Sequence, residues 1–196
     1  MFRLTVLTSR STQEEPSIGL IARARSGDDE AFRLIFNRFA RPIISFIYDM
    51  VGKQETAEEL TQETFVRAYR SLSTLKDDTK ISTWLFGIAK NVVRESRRSL
   101  AREVDDSHIS TMRDETQKPE ENLLEKELDQ VIKKALEKLD QDKRLVFTLK
   151  VFQQLSYEEI ATITGYSIPK LKTDLHRAKA EMRRLISPYY GARDEL

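Results

Sequence analysis

Apolar side chains recur along most of this chain at steps of three and four residues, the period of an amphipathic helix. Ile18, Leu20, Ile21 and Ala24 predict a short first helix ending near Gly27, and Asp28 can cap the next. There Phe32, Ile35, Phe36, Phe39, Ile43, Phe46, Ile47 and Met50 trace a wide stripe, in which Pro42 predicts a kink. A third helix is expected from Glu55 to Leu72, with Leu60, Phe65, Ala68, Tyr69 and Leu72 inward. A fourth starts near Ser82, with Trp84, Leu85, Ile88, Ala89, Val92 and Val93 on its buried face. From Ala101 to Leu123 the period is lost among Asp, Glu, Ser and Thr, a composition that cannot bury enough surface to order itself. Periodicity resumes at Leu128, Val131, Ile132, Ala135, Leu136 and Leu139. It continues through Leu145, Val146, Leu149 and Phe152. No strand alternation and no internal repeat stand out. The pattern therefore predicts an all-α protein: two small helical domains (17–100 and 127–187) joined by a flexible acidic linker (101–126). A flexible N-terminus (1–16) and a tail (188–196) flank them.

The second domain ends in the most informative stretch. Ser156 and Glu159 have the spacing of a capping box, and Gly165 supplies a left-handed residue to end the short helix they begin. Ser167 can cap the next helix, with Pro169 in its first turn, where a missing N–H costs nothing. Leu171, Leu175, Ala178, Met182 and Leu185 then form one apolar face. Lys170, Lys172, Thr173, Arg177, Lys179, Arg183 and Arg184 lie opposite. A short capped helix, a glycine turn and a longer basic helix make a helix-turn-helix, the second helix suited to the DNA major groove. An ordinary helical hairpin with a solvated cationic face is the plainer alternative.

Charge sharpens this picture. The 33 basic and 32 acidic residues nearly cancel, but they are segregated. From Lys80 to Arg102 six cations face Glu95 alone, whereas from Glu103 to Gln130 ten acids outnumber three cations. Two basic surfaces separated by an acidic strip suit a protein that touches nucleic acid twice. Zero cysteines exclude disulfides, thiol catalysis and thiolate zinc sites, and fit a reducing cytoplasm. The two histidines, His108 and His176, make no metal pattern, and no cofactor is expected. The opening MFRLTVLTSR is too short and polar for a signal peptide, and no apolar run could span a bilayer, so no membrane insertion is expected. Without a signal peptide the closing RDEL reads as coincidence. There is no phosphate loop or nucleophile elbow, and the carboxylate pairs fall at capping or exposed positions. Enzymatic activity is not expected.

Several stretches together resemble the extracytoplasmic-function type of bacterial RNA polymerase sigma factor, in the sigma-70 family. They are GDDEAF (27–32), AEELTQETFVRAYRSL (57–72), STWLFGIAKNVVRE (82–95), LSYEEIATITGYS (155–167) and LHRAKAEMRRL (175–185). The resemblance implies binding to core RNA polymerase and promoter DNA, with an anti-sigma factor as a candidate further partner. It implies that Gln62 and Glu63, supported by Glu59, dock on core polymerase. The fourth helix would open the promoter −10 region: Asn91 lies beneath the base-reading loop, and Lys90, Arg94, Arg97 and Arg98 hold phosphates. Phe86, which projects off the apolar stripe, would stack on a base. Gly87 stands where relatives carry a larger residue. In the second domain Lys172, Thr173, His176 and Arg177 match positions that read the −35 element, with Lys170 and Lys179 alongside. Asp174 stands where an arginine is usual, which bears on the −35 sequence. The acidic linker is like those that thread toward the RNA-exit channel. Two other readings compete: a stand-alone helix-turn-helix repressor with a helical effector or dimerisation domain, and an adaptor that binds protein only.

Overall fold

The structure is a computed structural model and describes residues 18–106 and 123–191, with side chains over 19–102 and 127–189. It is helical, with no strand among the described residues. The first lobe holds α1 (Ile18–Arg25), α2 (Asp29–Val51), α3 (Gln54–Ser71) and α4 (Ile81–Asp106), with two short 3-10 turns between α3 and α4. The second holds α5 (Leu123–Lys138), α6 (Gln141–Phe147), a π-helical turn at Thr148–Phe152, α7 (Tyr157–Thr164) and α8 (Ile168–Gly191).

Local chemistry sets the boundaries. The Asp28 carboxylate accepts from the Ala31 amide and starts α2, and Gly52, at φ 80°, ends it. Asp140 caps α6 through the Lys143 amide. Ser156 and Glu159 complete a reciprocal capping box at α7, and Gly165, at φ 76°, closes that helix. In the first lobe Ile21, Ile35, Ile43, Phe46, Ile47, Ile81 and Leu85 are fully buried. In the second, Leu136, Val146, Leu149, Ile160 and Leu171 are. Burying each such side chain stabilises the fold by about 1.5–3 kcal/mol.

Several expectations need correction. Pro42 lies inside α2, which runs for 23 residues with its apolar stripe buried on both sides of the proline. Tyr69 points outward, 48 % exposed, with its hydroxyl donating to Asp29 and its ring edge-on to Phe32. Phe36, also on the predicted stripe, is half-covered, against Phe65. Helix α4 continues to Asp106 and α5 begins at Leu123, so the expected linker limits at 101 and 126 both fall inside helices. The rest of that linker, and the expected flexible N-terminus, lie outside the described residues. The tail boundary at 188 falls within α8, which carries Pro188 and reaches Gly191.

The two lobes are packed together. Helix α4 lies along α7, and α2 meets the π turn, so the buried residues of both lobes join in one apolar cluster.

Candidate nucleic-acid interface

The basic face of α4 is set by the apolar stripe behind it: Leu85, Ala89, Val92 and Val93 are buried, which turns Lys90, Asn91, Arg94, Arg97 and Arg98 away from the core of the first lobe. Arg94 and Arg98 are exposed, and Asn91 is half-buried. Lys90 is half-buried too, and its ammonium donates to the Ile163 carbonyl of α7 at 2.7 Å. Burial, then the neighbouring Arg94, lowers the Lys90 pKa. Arg97 donates to the Met50 carbonyl at the end of α2, at 3.2 Å. Phe86 departs from expectation. It is 3 % exposed and packs edge-on to Phe46, with ring centroids 5.5 Å apart, because the buried arc of α4 is wider than the stripe read from the sequence. A side chain so enclosed offers no face to a base in this conformation.

Helix α8 presents a more open surface. Leu171, Leu175, Ala178 and Met182 anchor it, and Lys172, Thr173, His176, Arg177 and Lys179 are all exposed. The Thr173 hydroxyl donates back to the Pro169 carbonyl at 3.0 Å, and the Lys172 ammonium lies 5.7 Å from the Tyr157 ring centroid. Lys170 differs from these. Its ammonium sits between Asp174 (2.5 Å) and Asp142 (3.0 Å) and 4.0 Å above the Tyr166 ring. The hydrogen bond to Asp174, and then that to Asp142, raise its pKa and keep it charged. Burial tends to raise the Asp142 pKa, but donation from the Tyr166 hydroxyl and from Lys170 outweighs it and leaves a carboxylate. Asp174, 14 % exposed at its side chain, is the intramolecular partner of Lys170.

The third surface is the outer face of α3, where Glu59, Gln62 and Glu63 are exposed together. Glu63 accepts from Arg67 at 2.6 Å, and Arg67 also reaches Glu95 on α4. Val66 lies on the same face, 41 % exposed, and was missed by reading the helix for charge alone. An isolated Val among charges shows no period. Its position one turn after Gln62 was the available signal.

Between the lobes lies a cavity of about 170 Å3, lined by Phe46, Met50, Val93 and Leu145 and by the polar Lys90, Arg94, Asp142 and Tyr166, among others. Among the described residues there is no cluster of acids and histidines able to hold a metal, and no helix long and apolar enough to cross a membrane.

The three surfaces coincide with known segments. Residues 35–103 match sigma-70 region 2, and residues 129–182 match sigma-70 region 4. The chain is 30 % identical over 179 residues to the ECF RNA polymerase sigma-E factor of Salmonella typhimurium, covering 86 % of this chain and 93 % of that protein. It belongs to the extracytoplasmic-function sigma factors. This sigma factor is also 28 % identical over 187 residues to the RNA polymerase sigma-H factor of Pseudomonas aeruginosa, covering 90 % of this chain and 96 % of that one. Among solved structures it is similar to the sigma factor RpoE of Bartonella quintana in complex with the anti-sigma factor NepR, at 26 % identity and a TM-score of 0.68. That match covers 80 % of this sigma factor and 96 % of RpoE. CnrH, solved with the cytosolic domain of CnrY, shares the fold at 23 % identity and a TM-score of 0.63, over 86 % of this chain and 96 % of CnrH.

Proposed function

We propose that this sigma factor divides its work among three surfaces: α3 docks on core RNA polymerase, α4 opens the −10 region and α8 reads the −35 element. As a sigma factor it recruits core polymerase to promoters and starts transcription, and it catalyses nothing itself. The observation that carries the division is the open polar face of α8, where Lys172, Thr173, His176 and Arg177 project together from a helix fixed by a capped turn. Side chains so placed in the first turns of a recognition helix reach base edges in the major groove. On α4, Asn91 offers both a donor and an acceptor to a base drawn from the stack, and the surrounding cations suit phosphates. On α3, Glu59, Gln62 and Glu63 suit a basic surface on the polymerase, with Val66 as an apolar centre among them.

An anti-sigma factor is a further proposed partner, supported by the likeness to RpoE, a protein solved with NepR. The cytoplasm is the proposed location, since core polymerase and promoters are there. A stand-alone repressor is not favoured, because it leaves region 2 without a role. Transcription in vitro from a promoter library, with core polymerase alone and with this protein added, tests the proposal. New start sites sharing two spaced elements are expected, and unchanged transcripts would refute it.

A further inference from the structure

Residues 72–80 join α3 to α4 and lead directly into the helix assigned to the −10 region. They form two 3-10 turns, Leu72–Thr74 and Asp78–Lys80, with Leu72 and Leu75 buried on the inner side. Ser73, Thr74, Lys76, Thr79 and Lys80 are exposed, so the outer side offers hydroxyls and ammoniums to a nucleic acid. Most of the bonding here is local. The Asp77 carboxylate accepts from the Thr79 amide at 3.0 Å and from its hydroxyl at 2.6 Å. The Lys80 amide donates to the Asp77 carbonyl at 2.9 Å. Such bonds shape each turn but do not tie the loop to the rest of the lobe.

Arg25, the last residue of α1, supplies that tie. Buried Ile21 and Ala24 seat α1 in the core and carry Arg25 to the join between the two turns. Its guanidinium donates to the Leu75 carbonyl at 3.0 Å and to the Asp78 carboxylate at 2.6 Å. Among the described residues, these are the only hydrogen bonds that reach the loop from outside α3 and α4. The Asp78 side chain is 15 % exposed, so its carboxylate is turned to Arg25 rather than to solvent. A planar fork of donors can hold a carbonyl and a carboxylate together, where an ammonium acts as a point charge.

We propose that Arg25 is a positioning residue for base reading: it touches no DNA, yet fixes where the loop meets a base drawn from the −10 strand. The inference rests on the −10 role proposed for α4 and extends it to a residue of α1. A base edge is discriminated by donors and acceptors held close to one geometry, and a loop needs support from behind to hold them. Without the clamp, the loop keeps its apolar anchors and its turns but samples more positions, and wrong bases are tolerated.

The test uses the full chain with core polymerase, on a promoter library randomised across −10 and already melted there. Arg25→Ala should flatten the preference at one −10 position about fivefold, the scale of a lost hydrogen bond, with −35 preference unchanged. Arg25→Lys, which keeps the charge but not the fork, should lose less. Asp78→Asn leaves Arg25 in place and should flatten the same position. An unchanged profile for Asp78→Asn would mean that Arg25 meets DNA directly, which overturns the positioning role. An even loss of transcription across all −10 sequences is what a merely structural residue gives, and overturns it too. A loop with Ser73, Thr74 and Lys76 changed to alanine, and Asn91→Ala on α4, separate the two levels. If either alters the −10 profile while Arg25→Ala does not, the clamp alone has failed. If neither does, the −10 assignment has failed and the clamp with it.

Discussion

The faces of α4 and α8 are both rich in cations opposite an apolar stripe, yet they are differently available. On α8, Lys172, Thr173, His176, Arg177 and Lys179 stand in solvent. On α4, Lys90 is spent on a carbonyl of the other lobe and Arg97 on the end of α2. An off-stripe cation need only avoid the core of its own lobe, and nothing in a local period says what a second lobe will lay across it. One basic face is therefore open as folded, while the other is partly covered by the second lobe. Ways of breaking this contrast differ widely in size.

The largest effect is expected at Phe86, where the inner and outer faces of α4 part. Enclosed against Phe46, it should cost about 3–5 kcal/mol in urea unfolding when replaced by alanine, the range for removing a buried aromatic. A surface residue kept for stacking on bases would shift stability by no more than about 0.5 kcal/mol. A small shift would return Phe86 to the outer face of α4.

What could be read from the sequence divides along the same line. The helix-turn-helix was legible because its signals are local: Ser156 with Glu159, Gly165, and a stripe from Leu171 to Met182 lie within a few turns. The inward stripes of α2 and α4 were legible for the same reason. The burial of Phe86 was not, since it depends on Phe46, forty residues away, closing over the flank of α4. Nor was the role of Arg144, a cation standing just before the apolar Leu145 and Val146. Its three carbonyl partners belong to the ends of two helices that only the tertiary fold brings together. Asp174 was legible as a departure from the family pattern, but its function needed the position of Lys170 one turn before it.

On the open side of the contrast, Arg177 is expected to read a base. It is exposed on α8, and Lys179, Arg183 and Arg184 beyond it already suit the backbone. Arg177→Ala should cost about 1–3 kcal/mol and relax preference at one −35 position, measured on a saturated −35 library. Even weakening across all sequences would reduce it to a phosphate contact. On the covered side, Asn91→Ala removes a single amide, an expected loss of about 0.5–1.5 kcal/mol in open-complex formation. The loss should be larger on duplex promoters than on templates already melted at −10, where part of the unstacking is done. Equal losses on both templates would make Asn91 a structural residue of α4.

The smallest effect separates two lysines that the sequence placed side by side, and asks whether the open face is open throughout. Lys172 is exposed, whereas Lys170 is clasped by Asp142 and Asp174 over the Tyr166 ring. An ammonium already facing two carboxylates has little left to displace counterions from a phosphate. The salt dependence of binding counts phosphate contacts, at a slope of about 0.9 per contact on duplex DNA. Lys172→Ala should therefore lower that slope by about one unit. Lys170→Ala should leave it nearly unchanged, while costing up to about 1 kcal/mol of stability, as partly exposed ion pairs do. Binding to duplex −35 DNA at several salt concentrations, together with thermal unfolding of each variant, measures both quantities. If the two slopes fall alike, Lys170 leaves its carboxylates when DNA arrives. Then α8, like α4, engages one of its cations within the protein, and on α8 that engagement gives way to DNA.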